Sequence, residues 1–93
     1  MSNVEETLKE RGSNYGSFYD NAGSCQHLKN FFKLHDSWKE MSAYHREALD
    51  MIAHKLARIL NGDPNYIDSW VDIAGYATLV VKEIQKEIDN ELS

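Results

Sequence analysis

Apolar residues recur along this chain at spacings of three and four, the repeat of an amphipathic helix, and nowhere alternate with polar ones as in a half-buried strand. The cleanest pattern spans residues 43–61. Wound at ~100° per residue, it gathers Ala48, Leu49, Ile52, Ala53, Leu56, Ile59 and Leu60 on one side and Glu47, Asp50, His54 and Arg58 on the other. Ser42 offers an N-cap, and Gly62 is placed to end the helix in a left-handed conformation, with Pro64 two residues further on. Asn65 then caps a last helix that runs nearly to the C-terminus, with Asp68 as the reciprocal partner. Upstream, residues 19–34 predict a helix whose apolar contribution comes from Leu28, Phe31, Phe32 and Leu34 and which Gly23 weakens locally. Between these two, Ser37-x-x-Glu40 is a capping-box pattern that starts a short helical turn. Residues 3–10 predict a short helix capped by Asn3 and stopped at Gly12. The turn-rich GSNYGS that follows makes 12–18 an ordered loop or flap.

The expected fold is all-α: a small helical bundle of three main helices plus a short N-terminal one, forming a single domain over residues 1–93. Residues 73–81, IAGYATLVV, carry no charge and are apolar nearly all round, as in a helix that is central or covered by a second subunit. Gly75 in the middle of that run predicts a close helix approach. A domain of 93 residues buries a modest core, so a homo-oligomer is expected to complete it.

Composition narrows the partners. Apolar residues at 42% and charged ones at 27% are those of a folded protein rather than a disordered one. A net charge of -5 disfavours duplex DNA, which draws on a basic surface, but leaves small nucleotides open because a metal can neutralise their charge. Cys25 is the single cysteine, which points to a reducing compartment. The opening MSNVEETLKERG reads as no secretion signal and no apolar run approaches the ~20 residues of a membrane span, so a cytoplasmic location without a membrane partner is expected.

The candidate chemistry lies in two pairs of carboxylates at helical spacing, Glu47 with Asp50 and Asp68 with Asp72. On adjacent antiparallel helices, four such groups gather a divalent cation, and Mg2+ held this way grips phosphates. The plainer alternative makes Glu47 and Asp50 a solvated face with pairs such as Arg46–Asp50, Asp68 a cap and Asp72 a partner of the helix dipole. His54, Lys55 and Arg58 are candidates for phosphate contact, or for surface pairing. Asn14, Tyr15 and Phe18 offer an amide and two rings to stack on a base, or else plug one end of the core.

At ERGSNYGSF, REALDMIAHKLARILNGDP and DSWVDIAGYA the sequence resembles small phage-encoded and prophage-encoded helical domains of uncharacterised function, which are in turn similar to the all-α MazG-like nucleoside triphosphate pyrophosphohydrolases. That resemblance implies Mg2+ held by two acidic pairs, cleavage of a (deoxy)nucleoside triphosphate to monophosphate and pyrophosphate, and a dimer or tetramer. Glu47 and Asp50 match the first pair and Asp72 the final aspartate, with Asp68 as an outer ligand or base; where a glutamate is expected before Asp72, this chain has Ser69. Lys55 and Arg58 then steady the phosphates while the Tyr15 loop covers the base. The same resemblance admits a non-catalytic alternative, an anti-defence protein that sequesters a nucleotide signal or blocks a host defence protein. The third reading is a helical interaction module whose acidic residues merely keep it soluble.

Overall fold

The computed structural model describes residues 2–92, which form five helices: α1 (Ser2–Tyr15), α2 (Phe18–Lys33), α3 (Asp36–Glu40), α4 (Ala43–Asn61) and α5 (Ile67–Leu92). Among the described residues there is no strand, and the chain is all-helical. Helix α4 is the middle of the molecule. α2 packs along one flank of it and α5 along the other, so the three long helices form a single layer rather than a closed bundle.

Small side chains set the α2–α4 contact. Cys25, Ala53 and Ala57 are buried there, with Leu28 and Phe32 packed against them, and short side chains let two helix axes come close. Trp38 of the short α3 is buried with its ring 5.7 Å from that of Phe32. On the other flank Ala48 is buried, as is Ser69. Leu49, Ile52, Leu56 and Ile59 are only half-buried, and Leu60 is exposed. No large side chain is fully buried in the described chain.

Sequence patterning located α2, α4 and α5 closely, and it erred at the ends. Helix α1 runs straight through Gly12 to Tyr15, so the expected loop over residues 12–18 shrinks to Gly16 and Ser17. Helix α3 is entered from His35 rather than Ser37. Asn65 does not cap α5: its N–H donates to Asp63 Oδ1 in a turn, and the helix opens at Ile67. Gly62 is not left-handed, with φ -125° and ψ -141°. Gly75 faces open space where a close helix approach was expected. Helix α5, whose apolar run predicted a position at the centre or under a second subunit, is an outer helix of the single chain, with Leu79 and Val81 exposed.

The two glycine turns dock on each other, and this positions the end of the molecule that matters below. Gly16 has φ 84°, and a side chain there would press on the backbone of Asn61. A side chain on Gly62 would meet the backbone of Asn14 and Tyr15. Asp63 N–H donates to the Asn14 carbonyl at 2.9 Å across the same junction. The Asn61 side-chain amide completes the lock by donating to Asn21 Oδ1 at 3.3 Å and Ser24 Oγ at 3.0 Å.

Candidate functional site

A helix with neighbours on two flanks keeps two open faces, and on α4 these are chemically opposite. One carries Leu49, Ile52, Leu56 and Leu60; the other carries Glu47, Asp50, His54 and Arg58. The polar face runs from Arg58 past His54 to Asp50 over about 12 Å at 1.5 Å per residue.

The docked turns deliver Tyr15 to the Arg58 end of this row. The Arg58 guanidinium lies over the Tyr15 ring, 4.5 Å from its centroid, and the Tyr66 ring meets Tyr15 edge-on at 5.2 Å. Hydrogen bonding to Tyr15 and Asp68 pushes the Tyr66 hydroxyl up to about 12, with the Asp68 charge acting in the same direction. A cavity of about 370 Å3 opens beside this cluster, lined by Arg11, Tyr15, Phe18, Asn21 and Arg58. No carboxylate pairs with Arg58 among the described residues. Its guanidinium is therefore a donor fork, set over a ring, beside a cavity.

Further along, Lys29 of α2 donates from Nζ to His54 Nε2 at 3.3 Å, which requires that ring nitrogen to be unprotonated. Burial first, and then the charges of Lys29, Arg58 and Lys55, hold the His54 pKa below its usual value. Asp50 lies on the same α2 side, close enough to influence both His54 and Cys25. Its Oδ1 is buried with no hydrogen-bond partner among the described residues, and so is Arg46 Nε. The expected Arg46–Asp50 pair does not form; Arg46 donates instead to the Lys39 carbonyl at 2.9 Å. Burial also pushes the Cys25 thiol up, which keeps it unreactive.

The four carboxylates do not converge within one chain. Asp72 reaches across from α5 to Lys55 at 3.0 Å, so its charge already has a partner. Asp68 sits with Tyr66, while Glu47 lines a groove of about 340 Å3 between α4 and α5 with Tyr44, Tyr76 and Glu83. Among the described residues, no three of the histidine, cysteine and acidic side chains gather closely enough to hold a metal ion. Of the nucleotide-contact candidates, Tyr15 and Arg58 come together and His54 follows in the same row. Lys55 turns to Asp72, and the Asn14 backbone is engaged at the glycine junction.

Sequence reasoning passed over Arg11 and Tyr66. Arg11 sat beyond the expected end of the first helix, and only continuation of α1 to Tyr15 carries it to the cavity. Tyr66 lies in a turn whose partner is about fifty residues away in sequence, so no local spacing points to it. Glu83 and Tyr44 were missed for a similar reason, since the groove they line exists only once α4 and α5 are paired.

Fold and face together define a small all-helical protein whose open polar side joins an aromatic–guanidinium cluster to a row of acidic and imidazole groups. Residues 1–85 match the family model described as Domain of unknown function (DUF6378), and the chain belongs to that family. No curated protein and no solved structure matches it. No helix among the described residues is long and apolar enough to cross a membrane.

Proposed function

We propose that this is a nucleotide-handling protein that binds a nucleoside phosphate along the polar face of α4. The observation that carries the reading is the Arg58 guanidinium stacked on Tyr15 at 4.5 Å beside a cavity of about 370 Å3. Base and sugar occupy that cavity, where the Tyr15 and Phe18 rings offer stacking surfaces. Arg11 and Arg58 meet the phosphates at its rim, because a planar guanidinium matches phosphate oxygens two at a time. The row past His54 and Lys29 has the length and polarity to take the rest of a polyphosphate.

Mg2+ fits this face in a limited way. Such an ion needs only one or two carboxylates when substrate phosphates and waters fill its remaining positions. Asp50, with its unpartnered buried Oδ1, and Glu47, one turn away, are the residues that would hold it. Bound there, it would neutralise phosphate charge and polarise a phosphoryl oxygen. This favours a second, catalytic reading in which a (deoxy)nucleoside triphosphate is cleaved to monophosphate and pyrophosphate. Against it stands Asp72, whose pairing with Lys55 leaves it poorly placed to hold metal. The binding reading, including sequestration of a nucleotide signal, therefore comes first.

The two readings separate in one experiment. Calorimetric titration with ribo- and deoxynucleoside triphosphates, with and without Mg2+, is followed by ion-exchange separation of the recovered nucleotide. Saturable binding with ligand recovered intact is the expected result. Appearance of monophosphate would promote the catalytic reading, and no heat with any nucleotide would overturn both.

A further inference from the structure

We infer that the apolar open face is where a second copy of this chain packs, with the two α5 helices antiparallel. This inference is independent of the nucleotide reading, since it concerns the opposite side of α4. On α5, Ser69, Tyr76, Val80 and Glu83 turn toward α4. About a third of a turn away round the helix runs a second stripe: Ile67, Trp70, Ala74, Ala77, Val81, Ile84 and Ile88. These steps alternate strictly between three and four residues, the register of a coiled-coil seam. Every member is exposed in the single chain, and the flanking Val71, Thr78 and Gln85 are uncharged. The stripe is continuous with the α4 face through a groove of about 260 Å3 lined by Leu49, Ile52, Ala77 and Val80.

The chain exposes more surface than a compact one of its mass, with α1 and the α5 stripe both contributing. A folded chain of 10.7 kDa exposes about 5,500 Å2, from the scaling of area with mass. This chain exposes 7042 Å2. The excess of about 1,500 Å2 exceeds the ~800 Å2 per partner of a standard interface and falls in the range of obligate dimers. The radius of gyration tells the same story, 16.3 Å against about 12 Å for a compact domain of this length.

The seam is self-complementary in one direction. With an antiparallel crossing at Ala77, Ile67 meets Ile88 of the second copy, Trp70 meets Ile84, and Val81 fills the space beside Ala74. A parallel pairing sets Ala74 as well as Ala77 against itself and so leaves a longer waist between bulky ends. It also places two acidic C-terminal turns, each with Glu87, Asp89 and Glu91, side by side. Antiparallel pairing separates these turns and opposes the helix dipoles. The polar faces then point outward, one on each side of the dimer.

Sedimentation velocity of the intact chain is expected to give twice 10.7 kDa, and Ala77→Arg, which sets two like charges at the crossing, to give the monomer mass. Because unfolding of the variant would also abolish the dimer, disulfide trapping supplies the second measurement, with unmodified protein as control since Cys25 is buried. Ile67→Cys mixed with Ile88→Cys is expected to cross-link, whereas Ile88→Cys alone is not. Monomer mass for the unmodified chain would overturn the proposal, as would an Ala77→Arg dimer, absence of the mixed cross-link, or self-cross-linking at position 88.

Discussion

The two open faces of α4 use the same helical geometry for opposite ends. On one, Leu49, Ile52 and Leu56 leave apolar surface half in water, which is a standing free-energy cost until something covers it. On the other, His54 and Arg58 are held by specific partners, Lys29 and the Tyr15 ring, while Asp50 keeps a buried oxygen unpartnered. The apolar face is defined by a repeat along the helices themselves. The polar face depends on a junction between segments far apart in sequence, so it is the more fragile of the two.

That difference sets the order of expected effects. Gly16→Ala should be the most damaging, lowering stability by about 3 kcal/mol, because a side chain at φ 84° also presses on the Asn61 backbone. Urea unfolding would measure this, and nucleotide binding should fall with it as Tyr15 moves off Arg58. Arg58→Gln should leave the fold nearly as stable but weaken nucleotide binding about 10- to 100-fold, the equivalent of a charge-assisted hydrogen bond of about 1.5–3 kcal/mol. Calorimetry reads that loss directly, and equal affinity would remove Arg58 from the site.

A smaller effect follows from His54. Its pKa is lowered in the folded chain from 6.5, so the unfolded chain takes up the proton first as pH falls. Stability contributed by neutral His54 is thus complete above pH 6.5 and is lost as pH drops through the lowered folded value. The melting temperature should fall between pH 7.5 and 5.5 by more in the unmodified chain than in His54→Gln, and identical profiles would contradict the lowered pKa. Gly75→Ala is the mildest change. With open space at the missing side chain, it should stabilise α5 by about 0.5–1 kcal/mol and raise the melting temperature slightly. A loss of stability there would mean that something approaches this flank of α5.

What could be read ahead of the structure was what short-range periodicity encodes. The bounds of α4, the polar row from Glu47 to Arg58 and the all-helical class all follow from spacings of three and four. Helix ends were read less well, because capping at Asn65 and the stop at Gly12 were judged from residue type alone. In the fold, Asp63 claims the Asn65 N–H, and α1 runs on through an exposed glycine to reach the junction. Gly62 shows the same limit: its need for glycine is steric, against Asn14 and Tyr15, and nothing nearby in sequence announces that. The convergence of Asp72 with the other acids was inferred from two helices being neighbours, but Lys55 stands between them. The pairing of Tyr15 with Arg58 was half legible, since both residues were candidates and only the docked turns join them.

The most direct test of the nucleotide reading is calorimetric titration of the unmodified chain and of Arg58→Gln with nucleoside triphosphates in the presence of Mg2+. Saturable binding to the unmodified chain, weakened at least about tenfold in the variant, is the predicted result. Absence of binding to every nucleotide, or binding indifferent to Arg58, would contradict it and leave the polar face as solvated surface.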